Sequence, residues 1–183
     1  MLCLFIIIAI SLVPLCAIAG DSTEVQLARS IGDEGTYALL GAAVLLPVLN
    51  SGEDGEGRAL RTMDSIASAL TVSEMLKHLF PRDRPDGVGD DSFPSNHAAV
   101  AFAAATMAAD AHPDEAIWWY SGASLIAWSR YRENRHRPEE LLTGAAIGFG
   151  IARLEQQLPR GMLISPFFDP EGDGGGVEFI LNF

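Results

Sequence analysis

Apolar residues run almost unbroken from Leu2 to Leu15, and the small-x-small step Ala17-Ile18-Ala19 follows before Gly20. This pattern predicts an export signal over residues 1–19. No lysine or arginine precedes the run, so an uncleaved membrane anchor is the alternative. A polar entry, Asp21 to Gly35, comes next. Thr36 to Leu49 is apolar nearly all round, which predicts a helix buried in protein or lipid. Asn50 to Gly57 is rich in glycine and acid and reads as a loop. From Ala59 to Phe80, Leu60, Met63, Ala67 and Leu70 recur at helical spacing. Pro81, Pro85, Gly87 and Gly89 then enforce a loop to Phe93. Ser95, a good N-cap type, opens an alanine-rich helix to about Ala111. Pro113 with Asp114 and Glu115 starts another, to about Ser129. Pro138 with Glu139 and Glu140 starts the last, to about Gln157. Val177, Phe179, Leu181 and Phe183 alternate at period two and predict a short strand, with Met162 to Phe168 as its hairpin partner.

The elements add up to an all-α fold: a helical bundle of about five helices after an N-terminal leader, with a short β segment at the C-terminus. Residues 20–183 form one domain, with its core over about 36–157 and a tail over 158–183. Uncharged runs in the downstream helices fall short of the ~20 residues a membrane span wants. The expectation is therefore a soluble or peripheral domain in the periplasm or cell envelope, with membrane association through a retained leader.

Composition sharpens this picture. The chain is 49% hydrophobic and 20% charged, enough for a substantial core. Its formal net charge of -12 disfavours nucleic acid as a partner. Yet seven of the 12 basic residues (Lys77, Arg82, Arg84, Arg130, Arg132, Arg135 and Arg137) lie in two short stretches, which predicts a local positive focus. Both cysteines, Cys3 and Cys16, lie in the leader, so thiolate chemistry and Cys-ligated metals are excluded downstream. No His-Glu-x-x-His signature occurs, and no metal is expected.

The chemistry-bearing residues come in a fixed order. Lys77, the only lysine, precedes Arg84-Pro85, then Pro94-Ser95-Asn96-His97, then Ser129-Arg130, His136 and Glu140. Three cations, two histidines, a hydroxyl and a carboxylate are the parts of a metal-free phosphoryl-transfer site. Arginine offers a planar fork to phosphate that lysine lacks. Ser95 and the Asn96 N–H lie at a helix N-terminus, where free amides favour an anion. Singly, each residue has a bland reading: Lys77 complements a helix dipole, Ser95 only caps, His97 is structural. Arg132 and Arg137 read as a solvated basic loop, and His78 and His112 stand outside the pattern.

In that order the motifs resemble the superfamily of type 2 phosphatidic acid phosphatases and bacterial class A acid phosphatases, which includes the vanadium haloperoxidases. Its signature is Lys-x6-Arg-Pro, Pro-Ser-Gly-His and Ser-Arg-x5-His-x3-Asp. The match covers about Ala59 to Gly150. Asn96 stands where the family has glycine, and Glu140 where it has aspartate. The resemblance implies that His136 attacks phosphorus and forms a phosphohistidine, that Glu140 orients it, and that His97 protonates the leaving oxygen. Lys77, Arg84, Ser95, Asn96 and Arg130 are then the substrate-binding residues. The implied substrate is a phosphorylated lipid, of the phosphatidate or polyprenyl diphosphate type, or a small phosphoester. No cofactor is implied, and vanadate would bind as a phosphate mimic. The two departures imply a slowed enzyme, since a shift of about 1 Å can cost on the order of 100-fold in rate. Glu140→Asp is then expected to keep or raise activity. The alternatives are a vanadium-dependent haloperoxidase and a degenerate phosphate-binding member with little activity.

Overall fold

The computed structural model describes residues 20–50, 52–158, 164–168 and 175–179. The expected leader, 1–19, lies outside them, as do most of the tail's linking residues. Five helices form the bundle: α1 (Gly20–Asn50), α2 (Gly55–Leu79), α3 (Asn96–Ala111), α4 (Ala116–Arg132) and α5 (Pro138–Gln157). Single 3-10 turns, Gly52–Asp54 and Pro113–Glu115, lead into α2 and α4. In the tail, Ile164–Phe168 pairs antiparallel with Gly175–Phe179, Pro166 opposite Val177. The remainder of the expected hairpin, including residues 180–183, lies outside the described residues.

The first helix differs from expectation. The polar stretch from Asp21 to Gly35 is helical and extends α1 by several turns. Three of its charged residues have partners on the neighbouring helix and the turn after it: Glu24 with Arg132, Arg29 with Glu133, Asp33 with Arg130. These ion pairs flank a narrow buried stripe, Ala28, Gly32 and Thr36, at i, i+4 spacing. Among the described residues, α1 is also the one helix long and apolar enough to cross a membrane.

The alanine-rich α3 packs against all four of the others. Ala98, Ala99, Ala101, Ala103, Ala104, Ala105 and Ala108 are all buried, because a methyl side chain lets four neighbours approach on different faces. Ala101, Ala104, Ala105 and Ala108 join Ala43 of α1 and Trp119, Ala123 and Ile126 of α4 in the main apolar cluster. On the α5 side the approach is closer still. A Cβ at Gly148 would lie 2.0 Å from the Ala99 carbonyl oxygen and 2.8 Å from the Ala103 nitrogen. One at Gly144 would lie 2.4 Å from the Ser95 carbonyl oxygen. Backbone cannot yield as a side-chain tip can. Gly148→Ala is expected to cost about 1–3 kcal/mol by overpacking. Urea unfolding checks it, and an unchanged midpoint would contradict the close α3–α5 contact.

Candidate active site

Three connections meet at one end of the bundle. The first is the loop from Phe80 to Ser95. It folds on itself through Arg82 N–H to the Asp90 carbonyl, Arg84 N–H to the Gly89 carbonyl and Ser92 N–H to the Arg82 carbonyl. Gly87 and Gly89, at φ 76° and 94°, supply the left-handed turns this needs. The second is the start of α3, capped by Ser95 after a cis Phe93–Pro94 bond. The third is the turn from Glu133 to Arg137, where Asn134 takes φ 57°.

Between them lies a cavity of about 520 Å³. Lys77, Arg84, Asn96, His97, Arg130 and His136 all line it, so six of the residues expected from the sequence converge there. Ser95 and Glu140 do not line it and are fully buried. The Ser95 hydroxyl accepts from the Ala98 N–H at 3.5 Å, and its own N–H donates to the Glu140 carbonyl. The bland reading of Ser95 as a helix cap is the one its contacts fit.

Each cation is held in place. The Lys77 ammonium, near the end of α2, donates to the carbonyls of Asp91 (2.5 Å) and Pro94 (2.8 Å). Burial lowers its pKa from the usual lysine value, and Asp91 and Glu74 oppose that shift. Arg84 grips Asp91 bidentately, Nε to Oδ1 at 2.6 Å and Nη2 to Oδ2 at 2.7 Å. That hydrogen bonding holds the Asp91 carboxyl at about 2. Arg130 is almost fully buried and reaches Asp33 of α1 at 3.1 Å. Arg135 pairs with Asp86 at 3.1 Å. The positive focus is therefore a set of cations fixed by carboxylates and, at Lys77, by backbone carbonyls, rather than a bare basic patch. Arg132 turns away to Glu24, and Arg137 to the Asp83 carbonyl and Glu140. Asn96 donates through Nδ2 to Glu74, which ties the residue in the glycine position to α2.

His136 carries the decisive geometry. Its Nδ1 lies 2.8 Å from the Ser92 carbonyl oxygen. A carbonyl can only accept, so Nδ1 bears the proton and Nε2 keeps its lone pair. Burial pushes the imidazole down to about 4; the Ser92 carbonyl opposes this, and Lys77 and Arg84 add to it. At neutral pH the ring is therefore uncharged and of defined tautomer, with the Nε2 lone pair free. Glu140 Oε2 is 3.5 Å from the same Nδ1, beyond good hydrogen-bond reach. The carboxylate instead accepts from the Ser92 hydroxyl at 2.5 Å and the Arg137 N–H at 2.9 Å. Burial pushes Glu140 up, but those hydrogen bonds outweigh it and hold the carboxyl below its usual value. Glu140 thus fixes the segment whose carbonyl fixes His136. Sequence reading missed Ser92, because a backbone carbonyl leaves no mark in side-chain patterns.

His97 lies in the first turn of α3. Burial, then Arg130, push it down to about 4 against the pull of Asp33. Both histidines are therefore easier to protonate in the unfolded chain, near 6.5, than in the folded one. Above that value both states are neutral and the full stability is present. As pH falls from about 6.5 towards 4 the unfolded state takes up protons the fold refuses, and stability declines. His136→Gln is expected to flatten that decline, as read from urea midpoints at stepped pH. An unchanged slope would show that His136 is not held neutral.

The family model described as the PAP2 superfamily matches residues 59–160, more than half of the chain. Over 82 residues the chain is 39% identical to a lipid A 1-phosphatase of Porphyromonas gingivalis, a stretch covering 43% of this chain and 18% of that protein. Over 100 residues it is 37% identical to a provisionally named undecaprenyl-diphosphatase of Escherichia coli, covering 46% of this chain and 48% of that protein. The chain thus spans less than half the length of either relative. The crystal structure of LpxE from Aquifex aeolicus superposes with a TM-score of 0.60, over 78% of this chain and 89% of that one, at 20% identity. That likeness is one of fold.

Proposed function

Because this chain belongs to the PAP2 superfamily, we propose that it is a phosphatase acting on phosphomonoesters or diphosphates of lipids through a phosphohistidine. The observation that carries the reading is the neutral His136, with Nδ1 on the Ser92 carbonyl, in one cavity with Lys77, Arg84 and Arg130. In the first step the Nε2 lone pair forms a bond to phosphorus. The ester P–O bond breaks, its electron pair stays with the leaving oxygen, and that oxygen takes a proton from the cationic form of His97, the minor form at neutral pH because burial lowers its pKa. The three cations meet the charge on the other phosphate oxygens. In the second step the now neutral His97 takes a proton from water. The oxygen attacks phosphorus, the P–N bond breaks, and Nε2 recovers its pair. No metal enters these steps, and vanadate would occupy the site as a phosphate mimic.

The lipid leaning draws on two supports. The two relatives carry the names of a lipid A 1-phosphatase and an undecaprenyl-diphosphatase. The flanks of the bundle also expose Leu45, Leu49, Leu70, Trp118, Trp128 and Phe149, more large apolar surface than water favours. An envelope location with membrane association fits both. The full-length protein should be assayed with p-nitrophenyl phosphate, a short-chain phosphatidate and a short polyprenyl diphosphate, with and without vanadate. Turnover blocked by vanadate and favouring a lipid substrate supports the reading. A folded protein that turns over none of the three overturns it.

A further inference from the structure

We propose that Asp33, on α1, is a positioning residue of the active site: one carboxylate oxygen pairs with the phosphate-binding Arg130 and places its negative charge close to the leaving-group acid His97. Its Oδ1 lies 3.1 Å from Arg130 Nη1 and 3.7 Å from His97 Nε2. This inference rests on the roles given to His97 and Arg130 above. Asp33 lies outside residues 59–160, so the matched family region does not supply it.

The rest of that helical turn is shaped for the same purpose. Arg29, Gly32 and Asp33 share one face of α1 by their spacing. The Arg29 carbonyl accepts from Arg130 Nη2 at 3.3 Å. At Gly32 a Cβ would lie 1.3 Å from Arg130 Nη2 and 2.0 Å from its Cζ, so the guanidinium fills the space a side chain would take. Carbonyl, missing side chain and carboxylate together make a seat. It engages both Nη atoms and leaves Arg130 Nε as a buried donor without a partner among the described residues. Arg130 also lines the cavity where phosphate would bind.

The charges around His97 show why the carboxylate matters there too. α1 supplies Asp33 and Arg29, and α2 supplies Lys77. The 80–95 loop supplies Arg84, and α4 and its following turn supply Arg130, Glu133, Arg135 and His136. Asp86 and Asp91 are committed to Arg135 and Arg84, and Glu133 faces Arg130. Arg130, Arg84 and Arg135 all disfavour a protonated His97, and Asp33 favours it. An imidazole that must give a proton to a leaving oxygen needs that one opposing charge.

Asp33→Asn tests this, since it keeps shape and removes charge. Turnover is compared for p-nitrophenyl phosphate, whose leaving group needs little protonation, and an alkyl phosphate, whose leaving group needs it fully. The alkyl ester is expected to lose about 10–100-fold in kcat/KM, part of what general acid catalysis supplies. The nitrophenyl ester is expected to change about 3-fold or less on the same reasoning. The alkaline limb of the alkyl pH profile should move to lower pH, and Asp33→Glu should restore part of the loss. Equal losses for both esters with an unmoved limb would reduce Asp33 to a structural role and overturn the proposal. Gly32→Ala, which displaces Arg130 and leaves Asp33 intact, should weaken inorganic phosphate binding about tenfold, the loss of one charge-assisted contact. Unchanged binding would overturn the seat. An NMR titration of the His97 ring in wild type and Asp33→Asn decides the matter independently of turnover. The wild type should titrate at the higher pH, and identical titrations sink the proposal even in an active enzyme. Failure of the phosphatase reading looks different: wild-type turnover is absent or survives His136→Ala, while the titration still separates the two proteins.

Discussion

His136→Ala is expected to leave less than about one part in 10,000 of wild-type turnover, the scale set by loss of a covalent nucleophile. Among the described residues, no hydroxyl or thiol side chain lines the cavity in its place. The substitution removes the Nε2 lone pair but leaves Lys77, Arg84 and Arg130 with their present partners. Phosphate and vanadate should therefore still bind, the latter without its bond to nitrogen. The split between lost turnover and retained binding is what a nucleophile predicts; a residue that merely shaped the pocket would lose both together. Steady-state rates with p-nitrophenyl phosphate, calorimetric titration with phosphate and acid-quench trapping of a phosphorylated protein make the test. Activity within tenfold of wild type would remove His136 from the nucleophile's role. So would a trapped phosphoprotein in the alanine variant.

The second to fifth helices and the convergence at the site follow from sequence signals that are local. Pro113 and Pro138, each followed by two acids, mark helix starts, and the structure begins its 3-10 turn and α5 at those residues. The alanine run from Ala98 is legible as a close-packing helix because nothing else tolerates four neighbours. Lys77, Arg84, His97, Arg130 and His136 are legible as one site because they stand in a fixed order on three segments. What was not legible is long-range. Glu24, Arg29 and Asp33 look like a polar lead-in, since their partners lie about a hundred residues away and ion pairs carry no period. The empty space at Gly32 has meaning only once Arg130 is brought against it. The two carboxylates that organise the site, Asp33 and Glu140, work through other residues, and such second contacts are invisible until distances exist.

Glu140 gives the largest expected effect on the fold. Its Oε2 accepts from the Ser92 hydroxyl and the Arg137 N–H, and its Oε1 from Arg137 Nη1 at 2.9 Å, with Arg82 Nε at 3.5 Å. Every partner is a donor. Glutamine can offer only one acceptor oxygen, so in either orientation its NH₂ meets donors and the arginines lose their counter-charge. Glu140→Gln is expected to cost about 3 kcal/mol, the range for breaking a buried charge pair from one side. Freed from its anchor, Ser92 should let the imidazole drift, lowering kcat about 10–100-fold with little change in KM. Glu140→Asp now points the same way, against the expectation drawn from the family's aspartate. A side chain one methylene shorter draws the carboxylate back from the Ser92 hydroxyl and the Arg137 N–H, which both donate to the same Oε2. Urea unfolding and steady-state kinetics of both variants decide it. An aspartate variant as stable and as fast as wild type would mean that the α5 start can close by the missing methylene, and that the anchor is looser than these contacts indicate.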